Sequence, residues 1–360
     1  MDLLLSEEQT MLRESAVTFA QRQNGAERLR EIRESNTKID RGLWQEMANA
    51  GWLAIAVSED AGGLGLGSTE ICLVAEELGR GLIPEPVPAA AAVAAAIGND
   101  PAVGEIVGGS TIIMPALAEG KRAIGDEKPS VKASGSNDDV RLAGAKSGIP
   151  NAADCNGFVV SASSPDGPVL AYVAAADALF SAADTIDGGT IDVLQFDDTS
   201  ARIVCGPNEA PPAITRLLDM LHLATAAELL GVMHQAHEIT VEYLKTREQF
   251  DRPIGSFQAL QHQAVDNLVA TEMSKSLIYQ AAQAIDARGS APGLASAALS
   301  RTATSALDVC KSTIQLHGGI GFTDEHDIGL YLKRAMTLSV RYGNAGLHRK
   351  RYAAAAEAYA

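Results

Sequence analysis

Only four cysteines occur in 360 residues, and Cys72, Cys155, Cys205 and Cys310 stand far apart with no Cys-x-x-Cys pair among them. That scatter argues against a disulfide framework and fits reduced thiols. Positive charge is also scarce. Lys and Arg number 29 against 45 Asp and Glu, giving a net charge of −16 at pH 7. Such a chain is repelled by a phosphate backbone and by an anionic bilayer, so neither nucleic acid nor membrane is expected as a partner. No run approaches the roughly 20 consecutive apolar residues of a membrane span, and the segment from Met1 to Glu8 has no basic stretch ahead of an apolar one. A cytoplasmic location is the expectation. There is no Gly-x-Ser-x-Gly elbow and no P-loop, and Gly63-Leu64-Gly65-Leu66-Gly67 lacks both the third-glycine spacing and the preceding strand of a dinucleotide turn. His234-x-x-His237 has a helical spacing that could grip a metal, but no third ligand stands nearby, and no metal is expected.

What is present is ordinary globular material, 46% hydrophobic and 21% charged. Ser6-Glu7-Glu8-Gln9 has the form of a capping box that opens a helix. Apolar residues then recur at helical spacing through Met11, Leu12, Ala16 and Phe19, through Leu43 and Met47, and from Ile71 to Leu78. Ala89 to Ile97 resumes the pattern after Pro84, Pro86 and Pro88. From Thr111 to about Val204, short β-branched runs such as Phe158-Val159-Val160 and Val169 to Val173 alternate with Gly, Asp, Ser and Pro clusters, which predicts strands. Pro207, Pro211 and Pro212 read as a linker, and helical periodicity dominates from there, notably over Ala259 to Ala287 and Leu294 to Gln315. The expected organisation is α+β: an N-terminal helical domain (1–110), a small middle β-domain (111–205) and a C-terminal four-helix bundle (206–360).

Within the last block stand Arg247-Glu248-Gln249-Phe250, then Phe257-Gln258, and much later Gln315-Leu316-His317-Gly318-Gly319-Ile320-Gly321-Phe322. A planar cation, amide side chains and glycines that admit close backbone approach are the groups a dinucleotide's phosphates and ribose require. Together these segments resemble the FAD-binding half of an acyl-CoA dehydrogenase. The three-block order extends the resemblance over the whole chain, with weaker support from Gly51-Trp52-Leu53, Glu59 to Gly65 and Glu76 to Arg80. The resemblance implies that Arg247, Gln249, Phe250, Phe257, Gln258, Gln315, Gly318 and Gly319 reach across a subunit interface. There they would hold the adenosine diphosphate part of a neighbour's FAD.

Other family residues are missing. Arg341-Tyr342-Gly343-Asn344-Ala345-Gly346 stands where the family reads Tyr-Glu-Gly-Thr and its glutamate removes the substrate's α-proton. No carboxylate replaces it near Leu221 and His222, the place used by other members. The family's Leu-Thr-Glu-Pro corresponds to Leu117-Ala118-Glu119-Gly120, and its Gly-x-Lys-x-Trp-Ile-Thr-Asn to Gly144 through Asn151, leaving Gly148 for the tryptophan and Pro150 for the threonine. Ala345 and Leu347 take the places of a further threonine and glutamine. Neither glycine nor leucine can accept a proton.

The losses fall on the chain's own flavin site and the retained residues on the site lent to a neighbour. The resemblance therefore implies a non-catalytic subunit, inactive alone, paired with a homologous catalytic subunit in an α2β2 acyl-CoA dehydrogenase with fewer FAD molecules than subunits. The partner would bind most of the acyl-CoA, and electrons would pass to an electron-transferring flavoprotein. Relatives of this form act on bulky acyl groups, steroid side chains or pimeloyl-CoA. The alternatives are a self-sufficient enzyme using Glu228 or Asp219 as a relocated base, a flavin monooxygenase of the same fold, and a cofactor-free scaffold.

Overall fold

The computed structural model describes residues 5–120, 128–136 and 139–357. Six helices come first: α1 (Glu7–Arg22), α2 (Gly25–Glu34), α3 (Arg41–Asn49), α4 (Ser68–Arg80), α5 (Val87–Ile97) and α6 (Ala102–Val107). The capping box forms as expected: Gln9 N–H donates to Ser6 Oγ at 3.1 Å and Ser6 N–H donates to Gln9 Oε1 at 3.0 Å. α4 is buried along nearly its whole length because α1 lies on one side of it and the C-terminal helices on the other.

Seven strands follow, β1 (Ile113–Ala116), β2 (Lys132–Ser136), β3 (Asp139–Pro150), β4 (Gly157–Ser164), β5 (Gly167–Ala174), β6 (Leu179–Asp184) and β7 (Thr190–Cys205). β4, β5, β7, β3 and β2 pair in that order, and the single Lys132–Ser163 register between β2 and β4 closes the ring. Closure removes open edges there. β1 adds a parallel strand beside β4, and β6 lines the outer half of β7.

The remaining chain is helical, apart from a small hairpin of β8 (Glu248–Gln249) and β9 (Arg252–Pro253). α7 (Ala210–Thr246), α8 (Gln258–Arg288) and α9 (Pro292–His317) are long, and the fourth helix of the bundle is broken into α10 (Ile328–Leu338) and α11 (Ala345–Glu357). Pro211 and Pro212 do not lie in a linker. They sit in the first turn of α7, where a missing N–H costs nothing because those donors have no partner within the helix. α7 is long and apolar enough to cross a membrane, which the composition did not suggest, yet 94% of its apolar window is buried inside the molecule. It is the central strut of the core. α4 crosses it at two glycines: a Cβ on Gly79 would stand 2.1 Å from the Glu228 carbonyl oxygen, and one on Gly231 1.8 Å from that of Glu76.

Candidate functional site

Arg247 ends α7: its N–H donates to the Tyr243 carbonyl and its own carbonyl accepts from Ile254 N–H at 2.8 Å, which closes the β8–β9 hairpin. Phe250 and Asp251 form the two-residue tip with φ of 55° and 61°. Two consecutive positive φ angles define the turn whose twist suits a tight hairpin, although Asn or Gly normally supplies them. Phe250 is 86% exposed, and its ring meets Phe257 edge to face at 6.1 Å. The Arg252 guanidinium lies over the other ring at 4.2 Å. Gln249 is exposed on the hairpin, and Gln258 is exposed at the first position of α8.

The end of α9 arrives beside this hairpin. His317 is buried, donates from Nδ1 to the Thr313 carbonyl at 2.8 Å, and stacks on Tyr243 at 4.5 Å, one turn before Arg247. Burial holds the His317 pKa below the usual imidazole range. Asn267 donates to Ser312 Oγ at 3.0 Å and ties α8 to the same end. Gln315, Gly318 and Gly319 are exposed there. Gly318 has φ of 67°, and a Cβ on either glycine would meet nothing within 4 Å. Bare backbone is thus exposed at the end of the bundle that also carries Arg247, an exposed arginine with no ion pair found among the described residues. The eight sequence-derived residues share one end of the helical bundle, on its surface. Tyr243 and Arg252, which position this cradle, escaped the sequence reading because an aromatic on a helix and an arginine in a loop carry no signal of their own.

The interior half is differently built. Gly343 has φ of +113°, and a Cβ there would stand 2.7 Å from Leu347 Cδ2 and 3.1 Å from His348 Nε2. A side chain there, where the resemblance puts the family's base, would be strained by the backbone and would push the Leu347 side chain aside. Ala118 bridges Ser147 across the sheet, and a side chain on Gly148 would find nothing nearer than the Ala118 Cβ at 3.9 Å. Lys146, almost fully buried, donates to Glu119 at 2.6 Å and to Ser161 Oγ at 2.8 Å. Burial works against the Glu119 carboxylate, but Lys146 and two hydrogen bonds from Ser130 overcome it and hold its pKa at about 2. Both groups are therefore committed to each other.

Above this floor lies a cluster of charges. Arg334 of α10 donates from Nε to Glu228 Oε1 at 3.0 Å and from Nη1 to Asp187 at 2.9 Å, and its Nη2 also bonds Glu228. Arg341 Nη1 lies 3.6 Å from the other Glu228 oxygen. Burial opposes ionisation of Asp187, but Arg334, a hydrogen bond from Thr185 and the Arg341 charge hold its pKa below the usual carboxylate range. Glu228 is thus an acceptor already occupied by arginine. The one sequence hint was Arg334 itself, placed on the apolar stripe of α10 with Leu330, Tyr331 and Leu338.

Asp219, the other candidate acid, is buried and accepts from Ala291 N–H at 2.7 Å, just ahead of α9; burial raises its pKa to about 6. His222 is fully buried, with neither ring nitrogen bonded, and lies edge-on to His348 at 4.6 Å. Burial lowers the pKa of both, that of His348 to about 4. His234 Nδ1 lies 2.8 Å from Glu76, and no metal-ligating group of three gathers among the described residues.

A helical block, a middle β-block and a second helical bundle form the acyl-CoA dehydrogenase architecture. Residues 6–103 match the acyl-CoA dehydrogenase N-terminal domain and residues 212–357 the C-terminal domain. The chain belongs to the acyl-CoA dehydrogenase family, flavoprotein oxidoreductases that use FAD. Its relatives include the Mycobacterium tuberculosis acyl-CoA dehydrogenase FadE34, 32% identical over 90% of this chain, which spans only 43% of that protein's length. Among solved structures, the Tcur3481-Tcur3483 steroid ACAD G363A variant is 33% identical with a TM-score of 0.88, covering 98% of this chain and 99% of that one. The ChsE4-ChsE5 complex from Mycobacterium tuberculosis is 25% identical with a TM-score of 0.86, covering 99% of both chains.

Proposed function

We propose that this chain is the non-catalytic subunit of a heteromeric acyl-CoA dehydrogenase, lending its outer cradle to the FAD of a homologous catalytic subunit. One observation supports the reading: the residues that the resemblance assigns to a neighbour's FAD lie at one end of the helical bundle, while Gly343, at the place of the base, has a φ of +113° that disfavours any side chain. Arg247 would neutralise the pyrophosphate, Gln315 and Gln258 would hydrogen-bond ribose or phosphate oxygens, Phe250 and Phe257 would flank the adenine, and the Gly318-Gly319 backbone would approach closely. Gln249 completes the hairpin edge. FAD would supply hydride acceptance, and the α-proton would go to a carboxylate of the partner, since Gly343 stands at the place of the base and Glu228 is engaged by Arg334.

The assembly would be α2β2, with electrons leaving to an electron-transferring flavoprotein. Similarity to a steroid acyl-CoA dehydrogenase and to a two-component complex favours a bulky, steroid-type acyl thioester over pimeloyl-CoA. A relocated base is disfavoured, because Glu228 is held by two arginines and Asp219 by a main-chain N–H. The decisive experiment is flavin counting on the chain alone and on the complex purified with its partner. The expectation is little FAD alone, fewer flavins than polypeptides in the complex, and a loss of FAD of at least about tenfold in affinity on Arg247→Ala. Full occupancy and turnover by the isolated chain would reject the reading.

A further inference from the structure

A cavity remains where, by the proposed function, the chain's own flavin site has been lost, with Gly148 and Pro150 on its wall. It lies between α2, the β6–β7 turn and α10, beside the vacant aromatic position at Gly148, with a volume of about 360 Å³. That is within the ~300–1,000 Å³ usual for small-molecule sites. Its walls are mostly apolar, with Leu29, Ile32, Ile186, Met336 and Val340 lining the space. Three cations, Lys38, Arg334 and Arg341, reach it, against Asp187 on the lining and Glu228 just behind. In a chain of net charge −16, this pocket is one positive charge in excess.

The three cations are not equally engaged. The Lys38 ammonium donates to the Ile32 and Ser35 carbonyls at 2.9 and 2.7 Å. Arg334 is taken up by Glu228 and Asp187. Among the described residues the ion pair of Arg341 is with a Glu228 oxygen at 3.6 Å, its charge also acts on Asp187, and both acids already accept from Arg334. Its side chain is 13% exposed, so water compensates it poorly. A buried guanidinium without a close partner is costly, and its planar fork matches a carboxylate.

We propose that this cavity is a binding site for an amphipathic carboxylate, a molecule with an apolar body and one carboxylate paired with Arg341. The body would cover Leu29, Ile32, Met336 and Val340, and the head would supply the negative charge that the cluster lacks. The proposal rests on the subunit reading in one respect, that the chain's own flavin position is free, and its test reads a different ligand.

The test is calorimetric titration of the full chain with sodium octanoate, 1-octanol and octylamine. Octanoate should bind at one saturable site, at least about tenfold tighter than the alcohol, as expected for one charge-assisted hydrogen-bonded pair. Octylamine should bind weakest. Arg341→Met, which keeps the aliphatic stem, should abolish the preference for octanoate over octanol. Val340→Trp, which fills the cavity from its rim and leaves the ion cluster intact, should weaken all three ligands. Equal affinity for octanoate and octanol, octanoate binding unmoved by both variants, or no saturable binding up to about 10 mM (roughly 3 kcal/mol) overturns the proposal. The flavin count on Arg247→Ala is independent of this titration, so the failure of one idea is distinguishable from the failure of the other.

Discussion

At the scale of single residues, the clearest statement comes from Gly343. A missing base can be a simple substitution, reversible by restoring glutamate, or it can be built into the backbone. With φ of +113°, the backbone at this glycine disfavours any side chain, glutamate included. A non-glycine residue at such a φ costs on the order of 1–3 kcal/mol, and the clash with Leu347 adds to it. Gly343→Glu should therefore lower the thermal midpoint by several degrees and give no dehydrogenase turnover by the isolated chain. Activity measured beside a melting curve checks both halves. Turnover without loss of stability would mean that the site is merely unarmed.

At the scale of elements, α7 and α11 meet through the His222–His348 pair, and this contact carries a pH dependence with a definite sign. Burial keeps both imidazoles neutral in the folded chain, with the nearby Arg351 charge acting in the same direction. The unfolded chain binds their protons below about pH 6.5, so it is favoured progressively as pH falls from 6.5 towards 4, where His348 itself begins to titrate. With a folded pKa of about 4, His348 costs about 2 kcal/mol of stability at pH 5 relative to pH 7, and His222 acts in the same direction with about the same figure as its ceiling. Asp219, raised to about 6, works in the opposite direction below that pH, so the comparison must be between variants. His222→Leu should shrink the difference in urea-unfolding free energy between pH 7 and pH 5 by up to about 2 kcal/mol. An unchanged difference would show that the pair is not neutral.

The same scale explains what the sequence could reveal. Periodicity read over Ala259 to Ala287 and Leu294 to Gln315 lies within a residue or two of α8 and α9, because long helices with one packed face repeat that signal many times. The β8–β9 hairpin left no trace, since Phe250-Asp251 replaces the usual Asn-Gly at its tip. β6 was equally silent: all six of its residues are exposed, so no alternation marks it. The residues assigned by resemblance to a neighbour's cofactor stand in three short segments, which is the kind of pattern a sequence displays. The ion cluster was not legible, because Arg334 lies 106 residues from Glu228 and 147 from Asp187, and only the fold brings them together.

For the whole molecule, the proposed function raises the question of which surface would meet a partner. On α8, Val265, Leu268, Val269 and Met273 are 55%, 43%, 51% and 54% exposed, at spacings that put them on one stripe. The stripe begins two turns beyond Gln258 and so continues the cradle that carries Arg247 and Phe250. If the cradle holds a neighbour's cofactor, this stripe must lie against the neighbour, and burying each such side chain contributes about 1.5–3 kcal/mol. Val269→Asp would put an uncompensated carboxylate in that contact and should weaken assembly with the co-expressed partner by at least about 100-fold. Light scattering on the purified complex reads this directly. Flavin content should fall with assembly in Val269→Asp, whereas Arg247→Ala should lower flavin content and leave the oligomer intact. A complex that survives Val269→Asp with its flavin undiminished would place the interface elsewhere and leave the cradle facing solvent.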